Sequence, residues 1–314
     1  MTTRLIRFPS LASIGLQGGV ITIGNFDGVH CGHQALIAHV LQRAHELNLP
    51  TTVITFEPHP LEFFNKTHLT VPRITRLREK FKALAATGAD NVVIIPFNQQ
   101  LADMSASEFV QQILVKGLNA KHIVIGDDFR FGHKRLGDFS LLTNLGRESG
   151  FTVEAMPTLL LDHERVSSTR VRAALTSGQL DLAATLLGHS YTMQGRIRHG
   201  DKLGRELGFP TANIYLHRRL TPLHGIYTVY MHGLGALPVA GVANIGTRPT
   251  VNGTTTLLEV HLLDFSEDIY GRYVEVEFCQ KVRDEERLPS LEILKEYIAS
   301  DVAIAKAYFA GRED

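Results

Sequence analysis

The stretch Val20–Gln34, V-I-T-I-G-N-F-D-G-V-H-C-G-H-Q, limits what this chain can fold into more than any other part of it. Its first four residues are typical of a buried strand, and apolar residues recur at helical spacing from Leu36 onward. His30 and His33 are therefore expected at a helix N-terminus, after a strand and a glycine turn. Backbone N–H groups and the helix dipole favour an anion there, most often phosphate. These residues predict a nucleotide phosphate site; a strand–loop–helix corner with two incidental histidines is the alternative.

The G-N-F-D-G-V-H-C-G-H part of this stretch resembles the first signature of the HxGH nucleotidyltransferases, which transfer a nucleotidyl group from a nucleoside triphosphate and release pyrophosphate. Its Gly-x-Phe-Asp-Gly-x-His-x-Gly-His form narrows the resemblance to cytidylyltransferases and bacterial flavin adenylyltransferases. The resemblance implies that His30 and His33 are catalytic and that Asp27 orients the turn. It also implies nucleotide binding by the other members of the motif, which are Gly24, Asn25, Phe26, Asp27 and Gly32.

The composition of the chain indicates a globular protein and argues against several classes of partner and site. The chain has 314 residues, which allows two domains, and it is 44% apolar and 20% charged, the balance of a globular protein. Its 32 basic and 32 acidic residues give a formal charge of +0, so no nucleic-acid partner is expected. No apolar run approaches a membrane span, so no membrane association is expected. Two distant cysteines, Cys31 and Cys279, give neither a disulfide framework nor zinc spacing, and they fit a reducing cytoplasm.

Strands and helices alternate from Val20, where the fold is expected to begin, to about Met156. This alternation predicts a Rossmann-like parallel sheet with helices on both faces, and ligands bind such sheets at the carboxyl ends of the strands. After Val20–Ile23, the predicted strands are Thr51–Phe56, Asn91–Phe97, His122–Gly126 and Phe151–Met156. The predicted helices between them include Thr75–Ala86 and, behind a capping box, Ser105–Leu118.

Three polar clusters stand out in this domain. Phe56–Pro60 presents His59 from a loop that two prolines fix, although a surface histidine on a rigid connector is the alternative. Gly126–Gly132 combines aromatic residues, carboxylates and an arginine, which suit a planar heterocycle and a phosphate. Ser167–Arg172 places hydroxyls at a helix cap and arginines in its first turn, where basic residues oppose the dipole unless an anion is bound. An ordinary helix cap is the alternative.

The three clusters resemble, in the same order, motifs of the flavin adenylyltransferase module: T-F-E-P-H-P, I-G-D-D-F-R-F-G and V-S-S-T-R-V-R. The resemblance implies that the phosphate of FMN attacks the α-phosphorus of ATP and releases pyrophosphate. It implies that Arg170 joins His30 and His33 as a catalytic residue. It also implies that Ser168 and Thr169 bind the nucleotide. Flavin binding is implied for three residues of the first two clusters, which are His59, Asp128 and Arg130.

The pattern changes after Tyr191, beyond a helical connector at Leu175–Leu187. Short alternating stretches separated by turn residues predict a small antiparallel β-barrel, and a helix at about 290–309 closes the chain. We therefore place one domain at 1–186 and a second at 187–314. The predicted barrel strands are Tyr191–Ile197, Ile226–Met231, Val239–Ile245, Leu257–Leu263 and Tyr273–Phe278.

Two features of the second domain suggest chemistry. A glycine-punctuated loop runs from Gly200 to Thr211 and Asn213, whose side chains share one face of an extended chain. A hydroxyl and an amide oxygen are hard ligands suited to Mg²⁺ beside ATP phosphates, although an ordinary loop before a polar strand is the alternative. Glu259 lies in the middle of a predicted strand. A kinase that acts on an alcohol needs a carboxylate near the hydroxyl, whereas most strand carboxylates are solvated or ion-paired.

The motifs H-G-D-K-L-G-R-E-L-G-F-P-T-A-N, G-V-A-N-I-G-T-R-P-T and L-E-V-H-L-L-D-F resemble the riboflavin kinase module in order and spacing. The resemblance implies that Thr211 and Asn213 hold Mg²⁺ and ATP, with Gly204 beside the nucleotide. It implies that Glu259 activates the ribityl 5′-hydroxyl for attack on the γ-phosphate. Asn244–Thr250 and the C-terminal helix would border the nucleotide and flavin pockets.

Both resemblances together identify the chain as similar to the bacterial bifunctional riboflavin kinase/FAD synthetases. The family implies an α/β fold, in which an HxGH nucleotidyltransferase domain precedes a small β-barrel kinase domain with a C-terminal helix. Riboflavin, FMN, FAD and ATP are the implied ligands, Mg²⁺ the implied cofactor and the cytoplasm the expected location. The alternatives are a cytidylyltransferase fused to a flavin-binding barrel and a flavin-sensing regulator without turnover. Protein partners are not specified by the sequence.

Overall fold

The computed structural model describes residues 2–7, 18–64, 71–200, 203–218, 220–250 and 253–312, and within them every side chain except those at 203, 206, 247–250 and 253–255. The chain forms two compact units. The first, which we call the sheet unit, comprises Met1–Val71 and Thr75–Ser168. The second, which we call the barrel unit, comprises Pro72–Ile74 and Thr169–Asp314.

The sheet unit is built on six strands, all paired in parallel. They are β1 (Arg4–Arg7), β2 (Gly19–Ile23), β3 (Thr51–Glu57), β4 (Asn91–Pro96), β5 (Ala120–Gly126) and β6 (Thr152–Met156). Across the sheet they follow the order β1-β4-β3-β2-β5-β6. After β2, the next strands β3 and β4 lie on one side of it, and β5 and β6 lie on the other side. The topological switch point, where sheets of this kind bind ligands, lies between these two strands.

Helices cover both faces of this sheet, as the alternation predicts. Val92 of β4 packs in one apolar cluster with Ile37 and Leu84, while its neighbour Val93 packs in another with Ile113. The helices are α1 (Cys31–Leu47), α2 (Pro60–Phe64), α3 (Leu77–Ala86), α4 (Gln99–Asp103), α5 (Ala106–Phe109) and α6 (Phe139–Ser149). A π-helix (Val110–Gly117), a 3₁₀ turn (His133–Arg135) and a hairpin of β7 (Leu160–Leu161) and β8 (Glu164–Arg165) complete the unit.

Two elements differ from the sequence predictions. The expectation that the fold begins at Val20 is wrong, because β1 already pairs with β4. This edge strand has four residues, of which Ile6 alone is buried, so it is too short to give a periodic signal. The helix predicted for Ser105–Leu118 opens with the expected capping box between Ser105 and Glu108. It then continues as a π-helix instead of an α-helix.

The barrel unit is a closed antiparallel barrel, which confirms the prediction. Its strands are β9 (Thr192–Arg198), β10 (Ala212–Tyr215), β11 (Gly225–His232), β12 (Val239–Thr250), β13 (Gly253–Leu262) and β14 (Tyr273–Arg283). They close in the order β10-β13-β12-β11-β14-β9. Its helices are α7 (Ser168–Thr176), whose first residue is counted with the sheet unit, α8 (Leu180–Leu187), α9 (Leu203–Glu206) and α10 (Leu291–Ala310). Among the described residues, no helix is long and apolar enough to cross a bilayer.

Helix α10 packs on the outer face of the barrel. Ala305 and Phe309 of this helix join Ile226 and Val242 in one apolar cluster. The residue after Val242 in β12, Ala243, is fully buried on the opposite face. Alternation along a strand therefore separates an interior face from a face turned to α10.

A short segment, Pro72–Ile74, belongs to the barrel unit although the sheet unit precedes and follows it in sequence. Ile74 is fully buried. Three side chains of the barrel unit donate hydrogen bonds to the carbonyl oxygens of the segment. These are Arg172 Nε to Pro72 O at 3.0 Å, Tyr191 Oη to Ile74 O at 3.1 Å and Arg218 Nη1 to Arg73 O at 2.7 Å.

Candidate active sites

The two histidines of the first motif lie at the start of α1, which confirms their predicted position. His30 is the N-cap, and its Nδ1 accepts a hydrogen bond from the backbone N of His33 at 3.4 Å. An Nδ1 that accepts leaves the ring proton on Nε2. The two imidazoles are stacked with their centroids 3.6 Å apart. The cap thus fixes the orientation of both rings at the positive end of the helix dipole.

The turn between β2 and α1 is held by buried apolar side chains. Phe26 and Val29 adopt left-handed backbone angles, with φ of 48° and 43°. Such angles cost about 1–3 kcal/mol for a residue with a Cβ atom. Both side chains are buried in one cluster with Ile37 and Val53. Because burial of an apolar side chain yields about 1.5–3 kcal/mol, the cluster offsets the backbone cost.

Polar contacts from distant parts of the sheet unit fix the same turn. Asp27 is buried and accepts from Thr75 N at 3.0 Å, and Thr75 Oγ1 accepts from Gly28 N at 2.9 Å. Ser168 Oγ donates to Asp27 O at 2.8 Å. Lys80, fully buried, donates from Nζ to the carbonyl oxygen of Asn25 at 2.7 Å. The turn therefore has its geometry set before any ligand binds.

His33 is neutral near pH 7. Burial, and after it the adjacent His30, hold the pKa of His33 well below its ordinary value of 6.5. Its Nδ1 is buried and has no hydrogen-bond partner among the described residues. A buried polar atom without a partner is costly, so a ligand that supplies one is favoured there.

A cavity of about 620 Å³ opens at the carboxyl ends of β2, β3, β5 and β6. It is the place where the switch point predicts ligand binding. Most of the motif residues singled out in the sequence line it, namely Gly24, Asn25, Phe26, His30, Gly32, His33, Asp128, Arg130 and Ser168. Thr169 and Arg170 follow Ser168 in the first turn of α7. The buried carboxylate of Asp27 lies behind the turn, bonded to Thr75.

One wall of the cavity is aromatic and apolar. Phe56, Phe64 and Phe97 line it, with Phe56 and Phe64 at 5.9 and 5.6 Å from Phe97 between ring centroids. Phe129 and Phe131 stack at 5.6 Å elsewhere in the lining. Such surfaces suit a planar heterocycle. His59 is buried beside this wall, where its Nδ1 accepts from Leu61 N at 3.1 Å and so shapes the start of α2.

Other residues of the lining carry paired charges. Arg165 Nη2 lies 2.5 Å from Asp128 Oδ2, and Arg130 Nη1 lies 3.3 Å from Asp138 Oδ2. Hydrogen bonds from Thr158 lower the pKa of Asp127, which stays ionised at neutral pH. The lining thus combines charged residues with aromatic and apolar ones.

In the barrel unit, strand pairing places three polar residues side by side. Asn213 of β10 is paired with Glu259 of β13, and Glu259 is paired with Asn244 of β12. We call these three residues the polar row. Their neighbours Leu258 and Val260 are fully buried, so the row lies on the outer face.

Glycines make room beside the polar row. A Cβ atom at Gly200 would lie 2.5 Å from Asn213 Oδ1, and one at Gly204 would lie 3.3 Å from Thr211 Oγ1. Asn244 Oδ1 is buried without a partner among the described residues. Amide, hydroxyl and carboxylate oxygens are the donor set that Mg²⁺ prefers, so the residues present fit this ion. The side chains of 247–250, predicted to border the pockets, lie outside the described ones.

Two family models match this chain, one in its first part and one in its second. A family model described as FAD synthetase matches residues 14–170, and one described as riboflavin kinase matches residues 187–309. A bifunctional riboflavin kinase/FMN adenylyltransferase of Haemophilus influenzae is 48% identical over 98% of this chain and 99% of its own length. The chain belongs to the bifunctional riboflavin kinase/FMN adenylyltransferase family.

Further comparisons agree with this family and with its fold. The Pseudomonas fluorescens member is 50% identical over 94% of both chains. The crystal structure of a Streptococcus pneumoniae protein described as a macrolide-efflux protein has a TM-score of 0.82 and 29% identity, and covers 96% of this chain and 98% of that one. The family resemblance and the fold class predicted from the sequence are confirmed.

Several residues of the sites were missed by sequence reasoning. Lys80 precedes the buried Leu84 by four residues and so lies on the inward face of α3, a spacing that marks an unusual lysine. Thr75 gave no signal, because its role depends on a contact with Asp27, 48 residues away. The pairing of Asn244 with Glu259 depends on strand register, which no local pattern reports.

Proposed function

We infer that the chain phosphorylates riboflavin with ATP to give FMN, and adenylates FMN with a second ATP to give FAD and pyrophosphate. The observation that carries this conclusion is the 48% identity with a bifunctional relative over 98% of the chain, with both family models matched in order. The cavity of the sheet unit and the polar row of the barrel unit support this conclusion, because each gathers residue types that one of the two reactions needs.

In the sheet unit, we assign adenylyl transfer to the cavity. A phosphate oxygen of FMN attacks the α-phosphorus of ATP, and the bond to pyrophosphate breaks. Because this nucleophile is already anionic, the protein needs mainly to align the two substrates and to stabilise charge on the leaving group. His30 and His33 do so at the N-terminus of α1, together with three residues of the α7 start, Ser168, Thr169 and Arg170. Asp27 holds the turn in place.

In the barrel unit, we assign the kinase reaction to the polar row. Glu259 accepts the proton of the ribityl 5′-hydroxyl. The hydroxyl oxygen attacks the γ-phosphorus of ATP, and ADP leaves. Thr211 and Asn213 would hold Mg²⁺, which when bound neutralises charge on the ATP phosphates. Their spacing beside Gly200 and Gly204 supports this role.

The remaining assignments follow from the family. We propose that His59, Asp128 and Arg130 contact the flavin side of the first site, and that the domain boundary lies at 186/187, between the residues matched by the two family models. We also propose that the protein acts in the cytoplasm, where its nucleotide substrates are made.

Chromatography of the flavins tests the function directly. Purified protein is incubated with riboflavin, ATP and Mg²⁺, and we expect FMN first and FAD after it. FMN without FAD would contradict the adenylyltransferase assignment, and CTP would then be supplied to test the cytidylyltransferase alternative. Bound riboflavin without any product would favour a flavin-sensing regulator.

A further inference from the structure

The loop between β5 and α6 carries two basic residues, Lys134 and Arg135, that line the cavity. Neither forms an ion pair or a side-chain hydrogen bond with any residue in the described part of the chain. The other two guanidinium groups of the lining, those of Arg130 and Arg165, are each paired with a carboxylate. In the described part of the lining, Lys134 and Arg135 are therefore the two cationic side chains that no carboxylate pairs, while the carboxylate of Asp127 accepts hydrogen bonds from Thr158.

The backbone presents these two residues in an uncommon way. Lys134 and Arg135 are both left-handed, with φ of 52° and 59°. Residues with a Cβ atom adopt this region rarely, and such positions concentrate at functional sites. Main-chain hydrogen bonds fix the loop, with His133 N donating to Met104 O at 2.7 Å and Arg135 N donating to Gly132 O at 2.9 Å. The backbone of these two residues is thus fixed at the cavity, and their side chains are exposed.

The chemistry of the proposed adenylyl transfer explains why such charge is needed. The reaction brings together two anions, the phosphate of FMN and the triphosphate of ATP, which repel each other as they approach. The N-terminus of α1 beside β2 supplies positive potential for one of them. Lys134 and Arg135 extend from the loop beside β5, the strand on the other side of the switch point. Each anion thus has its own source of positive charge.

The aromatic residues of the same loop indicate which anion the loop receives. Phe129 and Phe131 line the cavity and are stacked on each other. A flavin ring would find its apolar contacts on this loop, and its phosphate is attached to the same molecule. We propose that Lys134 and Arg135 form the subsite that binds the phosphate monoester of FMN as it attacks ATP. This subsite rests on the adenylyltransferase function proposed above.

Steady-state kinetics of the full-length protein tests the subsite. FAD formation is measured for Lys134→Gln, Arg135→Gln and the double variant, with FMN and ATP varied separately. We expect the KM for FMN to rise about fivefold in each single variant and further in the double one, as for loss of a charged hydrogen bond from an exposed side chain. The KM for ATP stays within about twofold, and Lys134→Arg, which keeps the charge, stays near wild type.

Two controls separate charge in the subsite from charge in general and from misfolding. Lys116→Gln and Arg147→Gln remove exposed cations of the sheet unit that do not line the cavity, and both should leave the KM for FMN unchanged. Riboflavin phosphorylation by the same polypeptide reports that the barrel unit of each variant is folded, and an unchanged KM for ATP in FAD formation reports the same for the sheet unit. Added salt should raise the KM for FMN of the wild type more steeply than that of the double variant. The reason is that salt screens the charges of Lys134 and Arg135, which the double variant lacks.

The outcomes are distinct. A rise in the KM for FMN alone supports the subsite. A rise in the KM for ATP alone, or no change in either constant, overturns it, since the two cations would then serve the triphosphate or only the solvated surface. If the wild type itself forms no FAD from FMN and ATP, the proposed adenylyltransferase function fails, independently of the variants.

Discussion

The two candidate sites are built in opposite ways. In the sheet unit, residues adjacent in sequence share one turn, and its shape depends on buried side chains and on distant donors such as Lys80 and Thr75. In the barrel unit, the polar row comes from three strands, and strand register alone sets its members side by side. A substitution in the row should therefore remove a chemical group and leave the frame intact. A substitution around the turn should change the frame as well.

The strongest test of this contrast is Glu259→Gln. We expect riboflavin phosphorylation to fall by about 10³-fold, because a positioned general base contributes on the order of 10²–10⁴. FAD formation from added FMN should stay unchanged. The matched control is Glu277→Gln. Glu277 is a strand carboxylate that lies outside the polar row and pairs with His232. Intact FMN formation in Glu259→Gln would end the assignment of Glu259.

The next largest effect is expected for His33→Ala. FAD formation should fall by about 10²-fold, since donors that stabilise developing charge are worth roughly 10²–10³ in rate. Riboflavin phosphorylation, measured on the same sample, should be unaffected. His45→Ala, an exposed histidine in the last turn of the same helix, serves as the control. Equal loss of both activities in His33→Ala would show a general folding defect and contradict a local role.

Lys80→Met tests whether the turn depends on its buried donor. Removing Nζ leaves the carbonyl oxygen of Asn25 without this bond, so we expect the free energy of unfolding of the sheet unit to fall by about 2 kcal/mol. FAD formation should fall about tenfold because the displaced turn aligns the substrates poorly. Denaturant unfolding measures the first effect, with the exposed Lys82→Met as control. A variant with full stability and reduced activity would show that Lys80 acts on substrate and not on the turn.

The smallest effect concerns pH. Because burial lowers the pKa of His33 in the folded state, the unfolded state binds more protons as the pH falls below about 6.5. The stability that neutral His33 contributes is fully present above that pH and is lost as the pH falls toward the folded-state pKa, with a slope of at most about 1.4 kcal/mol per pH unit. His33→Asn should flatten this slope in denaturant unfolding. Titration of the His33 ring by NMR between pH 6 and 8 would contradict the buried neutral state.

The contrast also explains what the sequence could predict. The histidine turn was found because its residues are contiguous and a strand, glycines and a helix start follow each other directly. The parallel sheet was predicted from strands that alternate with helices along the chain. The barrel was predicted from short stretches in which apolar and polar residues alternate. Lys80, Thr75 and the pairing of Asn244 with Glu259 were missed, since each depends on contacts far apart in sequence. Short edge strands such as β1 bury too little to be visible.

Because the segment Pro72–Ile74 belongs to the barrel unit, dividing the chain at one position does not separate the two units. A fragment that begins at residue 187 would keep Tyr191 and Arg218 but lose the carbonyl oxygens of Arg73 and Ile74 that accept their hydrogen bonds. Arg218 is buried, so its guanidinium would be left with fewer acceptors where water is scarce. Dissecting the enzyme into modules, or exchanging one module with a relative, would therefore require carrying these three residues along with the barrel.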